Sequence, residues 1–438
     1  MSAQRSTIGP VSTFRRYFVT RTRCRNRRKT ALSFDLKACV CIGTKCHADM
    51  VRVYRYRLRP TRAQDAAMRE MLYRLRELYN AALQERRDAY QKGGVSISGY
   101  SQMAELRGVR EVRPEYAAIH VHLLQDAITR LDRSFRAFFR RVKAGEKPGY
   151  PRFKGRDRYR TFTFKDAVNN NGVRIVAGGA RVRLAGIGNV KLNLHRPIDG
   201  LIKQASVTLS GDDHWYVAFA CDGVPAKPLP STGRSVGIDV GITMFAALSD
   251  GTLVANPRPY EVAQHGLVRA QRRVARRCRW SGRRRHAVAL LAKWHAKVQR
   301  VRLDFHHKTA LDIVRRFDSI AVEDLNIKGL ARMRLAKQVH DAGWAQFTSI
   351  LASKAESADR DFNRVDPRGT SQMCSACGCE VRKDLSVRIH VCPHCGYVAD
   401  RDVNAARNVQ GRGQRLRGGV ANGLAEDPRS PDLAVCGR

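Results

Sequence analysis

The chain is short of acid. Its 438 residues carry 39 Asp and Glu against 81 Lys and Arg, a formal charge of +42. Such a field opposes compact folding by self-repulsion unless a polyanion offsets it. Nucleic acid is therefore the expected partner, held through its phosphates with release of counterions. A basic ribosome-like or membrane-surface protein is the alternative. Long apolar runs are also missing. None approaches the length that spans a bilayer, so no membrane role is expected. A secretory apolar segment is missing too. Twelve cysteines without that signal speak against a disulfide-built secreted domain. They fit a reduced intracellular protein, expected in the cytoplasm with the nucleoid.

What is there exceeds one ordinary domain in length. Hydrophobic residues make up 43% of the chain, enough for real cores. Residues 1–49 hold eleven Lys and Arg and two acids without periodicity. They are expected to be a basic disordered extension, or residues upstream of a true start at Met50. Cys39, Cys41, Cys46 and His47 are ligand types, but their spacing fits no common zinc pattern, so they are read as incidental.

From Met50 the pattern becomes orderly. MVRVYRYRLRPTRAQ alternates Val51, Val53, Tyr56 and Leu58 with basic residues, as a strand does. Met68, Leu72, Leu75 and Tyr79 recur at helical spacing, as do Leu124, Ile128, Leu131, Phe135 and Phe138. KPGYPRFKGRDRYRTFTF mixes rings with cations. It reads as a loop entering a strand, or as a surface where rings stack on bases and cations meet phosphates. Residues 50–224 are thus expected to form a β domain, barrel-like, with a helical insertion at about 62–143. Residues 225–234 are a linker by composition.

SVGIDVGITMFAALSDGTLV then reads as three strands. Residues 263–317 are helical, split at Ser281-Gly282. Leu291, Trp294, Val298, Val301 and Phe305 make a packing seam. Nine arginines and no acid lie between Arg269 and Arg285, which favours a phosphate-tracking helix over a merely solvated face. SIAVEDLNIKGL is a strand, 345–360 a helix, DFNRVDP a weak strand, and DVNAARNV opens a last short helix. The tail 412–438 is expected to be disordered.

Two constellations carry chemistry. Cys374-x2-Cys377 and Cys392-x2-Cys395, fourteen residues apart, present four thiolates for tetrahedral zinc. Four protein ligands leave no open position, so that zinc is structural; Cys379 is a spare thiol. The second set is acidic. Asp239 lies within an apolar strand, where a carboxylate costs free energy unless something offsets it. Glu323 ends another apolar strand, and Asp402 follows the knuckle. Taken singly, they read as a turn bond, a helix cap and an N-cap. Taken together, they read as clustered carboxylates that need divalent cations to stay ionised. Oxygen ligands favour Mg²⁺ or Mn²⁺, and two such ions suit phosphodiester cleavage.

VGIDVGITMFAALSDG, IAVEDLNIKGL, DPRGTSQMCSACG and CGYVADRDVNAARNV resemble the successive motifs of TnpB proteins. These are the OrfB "transposases" of insertion sequences, related to type V CRISPR nucleases. The likeness extends to YRYRLRPTRAQ, GYPRFKGRDRYRTFTF and KQVHDAGWAQF, and covers about 50–411. It implies an α/β and β multidomain chain. An RNase H-like (RuvC) nuclease would occupy 235–370 and 397–411, interrupted by a zinc ribbon at 371–396. Asp239, Glu323 and Asp402 match its catalytic, Mg²⁺-binding acids. Cys374, Cys377, Cys392 and Cys395 match its zinc ligands. The implied function is Mg²⁺-dependent cleavage of double-stranded DNA chosen by a transposon-derived guide RNA, with a short adjacent motif read by the amino-terminal domain. The alternative is a DNA-binding transposase or accessory regulator of transposition without guided cleavage.

Overall fold

The computed structural model describes residues 50–168, 170–333, 335–384 and 386–422. The expectations for 1–49, including Cys39, Cys41, Cys46 and His47, and for 423–438 lie outside the described residues.

The first part is a seven-stranded antiparallel sheet with helices over it. β1 (Met50–Arg59) leads into α1 (Arg62–Gly93), α2 (Gly99–Val112), α3 (Pro114–Ala117) and α4 (Val121–Lys143). Strands β2 (Thr161–Phe164), β3 (Val173–Val176), β4 (Arg181–Leu184), β5 (Gly188–Asn193), β6 (Leu201–Leu209) and β7 (Trp215–Val224) follow. Their hydrogen-bonded order is β2-β6-β7-β1-β5-β4-β3. This order has two edges, β2 and β3, so the barrel-like expectation resolves to an open sheet. The sequence PTRAQ starts α1 by a capping box: Thr61 accepts from Gln64 N while the Gln64 side chain accepts from Thr61 N. Tyr54, Tyr56 and Leu58 of β1 are buried with Met68, Leu75, Leu124 and Leu131 in one core. Val51 and Val53 are exposed, against the expected grouping with Tyr56. Residues of opposite parity cannot share a strand face.

Residues 225–234 run without regular structure but not freely. Lys227 N donates to Ser357 O and Leu229 N to Ala358 O, at 2.8 and 3.1 Å.

The second part is a five-stranded mixed sheet. β8 (Ser235–Val240), β9 (Met244–Leu248) and β10 (Leu253–Ala255) precede a helical hairpin, α5 (Pro259–Ala275) and α6 (Gly282–Arg316). Then come β11 (Ser319–Glu323), α7 (Ile327–Leu330), α8 (Ala336–Ala342), α9 (Trp344–Ser357) and β12 (Asp361–Val365). The order is β10-β9-β8-β11-β12. β11 pairs in parallel with both β8 and β12, while β9 pairs antiparallel with β8. DFNRVDP thus forms an edge strand, where an Asn and acids on a half-open surface are tolerated. The seam on α6 divides: Leu291, Trp294 and Val298 pack on α5, Phe305 joins the sheet core, and Val301 is 45% exposed.

A small hairpin, β13 (Ile389–Val391) and β14 (Val398–Asp400), runs directly into α10 (Arg401–Asn422). α10 lies across the sheet. Gly237 in β8 makes this possible, since a Cβ there would stand 2.0 Å from Ala406 O. Gly413 repeats the device against Ala321 of β11, where an added Cβ would meet the Ala321 Cβ at 2.5 Å. The helix runs on past 412, where disorder was expected, to Asn422.

Candidate active site and metal centre

β8 and β11 are neighbours in parallel, and Ile238 pairs with Val322. The register therefore brings the next residues, Asp239 and Glu323, to the same end of adjacent strands. α10 crosses that end and starts with Arg401 and Asp402. Asp400 accepts from Asp402 N at 2.9 Å and Val403 N at 3.1 Å, so Asp400 takes the capping position and leaves Asp402 free to face the strands.

Asp239 feels the other two acids. Burial pushes the Asp239 carboxyl well above the usual range, and the charges of Glu323 and Asp402 push it further; Arg401 offsets only part. Burial also raises Glu323, against the Thr370 hydrogen bond and the field of Arg412. Thr370 is 2% exposed, and its hydroxyl donates to Glu323 Oε1 at 2.6 Å. Asp402 is held by guanidiniums: Arg401 Nη2 lies 3.0 Å from Oδ1 and Arg388 Nη1 3.6 Å from Oδ2. Arg388 also donates to Thr243 Oγ1 at 3.1 Å, joining the cysteine-rich segment to the turn after β8. Asp324, next to Glu323, forms an exposed ion pair with Arg364 at 3.2 Å.

The four cysteines form the tighter centre. The Sγ atoms of Cys374, Cys377, Cys392 and Cys395 all lie within 4.8 Å of one another. Cys374 and Cys395 are 3.7 Å apart, Cys377 and Cys392 3.6 Å. A tetrahedral thiolate site with metal–sulfur bonds of about 2.3 Å has edges of roughly 3.8 Å, so the set fits a metal ion. Burial raises the Cys392 thiol, but the amides of Cys395 and His394 outweigh it and bring it down to about 6, favouring the thiolate. Among the described residues no other group of three or more His, Cys, Asp or Glu is drawn so close.

The cysteine centre is wired to the acids through α10. Cys392 to Cys395 forms the turn of the β13–β14 hairpin, whose register pairs Ile389 with Asp400. On the other side, Asn404 is fully buried; it accepts from Ser375 N at 2.9 Å and donates to Met373 O at 2.8 Å. Asn408, one turn on, donates to Thr370 O and Met373 O, both at 2.8 Å. Sequence reasoning passed over Thr370, Arg388, Asn404 and Asn408. The two asparagines, four apart in NAARN, were the available signal, since buried amides need partners.

Residues 216–334 match a family described as a probable transposase, and 344–409 match the TNB domain described as Cas12f1-like. Residues 50–95 match a family described as a helix-turn-helix domain, although here they form β1 and α1. A putative RNA-guided DNA endonuclease of Streptomyces pristinaespiralis is 31% identical over 379 residues, covering 83% of this chain and 89% of that protein. The putative RNA-guided DNA endonuclease InsQ of Escherichia coli K12 is 26% identical, covering 84% and 93%. A CRISPR-associated endodeoxyribonuclease, Cas12f1 of Sulfoacidibacillus thermotolerans, is 24% identical over 244 residues, covering 50% and 56%.

Proposed function

Because the chain belongs to the TnpB/OrfB family of RNA-guided DNA endonucleases, we propose that it is a transposon-encoded enzyme that hydrolyses DNA phosphodiesters at sites chosen by a bound RNA. The observation that carries the catalytic assignment is the coupling of Asp239 to Glu323 and Asp402 across β8, β11 and α10. A half-buried carboxylate such as Asp239, raised by the charges of two neighbouring acids, marks a site for divalent cations. We read the sheet β8–β12 with α10 as an RNase H-like nuclease domain, 235–370 and 397–411, with the zinc ribbon 371–396 set into it.

Asp239, Glu323 and Asp402 would hold Mg²⁺, which when bound activates water and stabilises the leaving oxygen. The protein's own work is placement. Thr370 donates a hydrogen bond to the ionised form of Glu323, Arg388 and Arg401 orient Asp402, and Gly237 lets α10 close on β8. Cys374, Cys377, Cys392 and Cys395 would hold zinc, fixing the hairpin from which Asp402 emerges. A guide RNA and a DNA duplex are the polyanions that suit the +42 charge. No helix among the described residues is long and apolar enough to cross a membrane. With nucleic-acid partners, we place the protein in the cytoplasm, on the nucleoid.

The test is a native purification from cells carrying the surrounding element. Copurified RNA is sequenced, and a plasmid bearing the sequence complementary to its variable end is offered with Mg²⁺. Cleavage confined to that plasmid and abolished by chelator is expected. Retained RNA without strand breakage would favour a guided binding protein.

A further inference from the structure

The hairpin α5–α6 carries a feature that the catalytic reading leaves unused. It is closely packed: Ala263, Leu267 and Ala270 are buried, as is Ala287 on α6. Gly266 lets the helices touch, because a Cβ there would lie 2.5 Å from the Trp294 ring. Only the carboxyl-terminal part of α6, with Phe305, Ala310, Ile313 and Val314, enters the sheet core. The 17 residues from Gly282 to Val298 pack on α5 instead and set the tip roughly 24 Å beyond Val298 along the helix axis, away from that core.

Trp280 sits at the tip. It is 90% exposed, with φ +71°, a left-handed conformation that bulky side chains avoid. The turn is built to hold it. Ser281 caps α6 by accepting from Arg284 N at 3.1 Å, and its hydroxyl donates to Cys278 O at 2.9 Å. Arg284 Nη1 donates to Val274 O at 2.7 Å and Arg277 O at 3.0 Å. The other arginines between Arg269 and Arg285 have no ion-pair partner among the described residues. An indole held out in a strained conformation, in a turn flanked along the chain by arginines without ion-pair partners among the described residues, costs stability and covers no core. Its chemistry matches a nucleobase face between phosphates.

We propose that Trp280 stacks on an unpaired or helix-terminal base of the bound guide RNA while the neighbouring arginines take the flanking phosphates. This contact rests on the RNA-guided reading above and names the element that grips the RNA. RNA is the committed occupant because its loops and ends offer free base faces, whereas a DNA duplex keeps its faces stacked.

The experiment uses the full chain and the RNA that copurifies with it, extracted and rebound. Trp280→Ala is expected to weaken binding about ten-fold at fixed salt, with the slope of log affinity against log salt unchanged, and Trp280→Phe to stay near wild type. Ultraviolet irradiation of the wild-type complex should cross-link the peptide containing Trp280 to a ribonucleotide. Wild-type affinity in Trp280→Ala with an unchanged melting curve would overturn the contact and leave the guided reading standing. Cross-linking to the target DNA alone would overturn RNA as the occupant. A wild-type chain that retains no RNA would overturn the guided reading itself, and this contact with it.

Discussion

The Thr370 hydroxyl donates to Glu323 Oε1 at 2.6 Å and also lies 2.9 Å from Pro367 O. One hydroxyl proton serves one acceptor at a time. An ionised Glu323 takes it, so Thr370 favours the charged form that a metal site requires. Thr370→Val is expected to slow cleavage by about ten-fold or more, with RNA and DNA binding unchanged, while Thr370→Ser keeps most activity. Single-turnover rates decide this; equal rates in all three proteins would contradict it.

Gly237 sets the distance between two of the catalytic candidates. An alanine Cβ would stand 2.0 Å from Ala406 O and 2.4 Å from Gln410 N, both backbone atoms that cannot rotate away. Gly237→Ala should push α10 off β8. A loss of about 1–3 kcal/mol or more is expected, together with a fall in cleavage, because Asp402 moves with the helix. Denaturant midpoints and cleavage rates measured on the same samples test it.

Metal removal should act at two distances from the chemistry. Cys392→Ser, or a chelator strong enough to strip zinc, is expected to lower melting around the nuclease domain and to reduce activity with it. The link is the β13–β14 hairpin and the contacts of Asn404 with Ser375 and Met373. Thiolates bind metal only when deprotonated, so zinc retention should weaken as pH falls. Unchanged melting and full activity in Cys392→Ser would remove the ribbon from the account.

Much of this was legible in the sequence. Rows such as Met68, Leu72, Leu75 and Tyr79 fixed α1, and all four are buried. The acids and cysteines could be found because each stands out from its surroundings: a carboxylate in an apolar strand, or paired thiols at ligand spacing. Thr370, Arg388 and Asn404 do not stand out. Each has a partner far along the chain, Glu323, Thr243 and Ser375 at 47, 145 and 29 residues, and an isolated polar side chain carries no periodic signal. Gly237 was hidden for the same reason, since nothing local tells a crossing-point glycine from any other. The parity slip at Val51 and Val53 came from grouping apolar residues of odd and even number on one face; β1 alternates regularly, with its odd residues outward.

Asp318 should make the linker junction sensitive to acid. Burial pushes its carboxyl up, but the Ser231 and Thr232 hydroxyls and the Thr232 and Gly233 amides outweigh that and hold it well below the usual range. Arg360 adds an ion pair at 2.7 Å. A depressed value stabilises the fold above the unfolded pKa of about 3.9, and the contribution is lost as pH falls through the folded value. Asp318→Asn is therefore expected to melt lower than wild type near neutral pH, by a margin that stays level down to about pH 5 and narrows below about pH 4. A margin that widens on acidification would reverse the sign.

The central claim is that Asp239, Glu323 and Asp402 act together on one phosphodiester. It is tested most directly by plasmid cleavage with Asp239→Asn, which keeps the side chain's shape and removes its charge. With copurified RNA and Mg²⁺ present, the variant should bind target DNA as tightly as the wild type and break no strand. Cleavage at the wild-type rate would contradict the assignment.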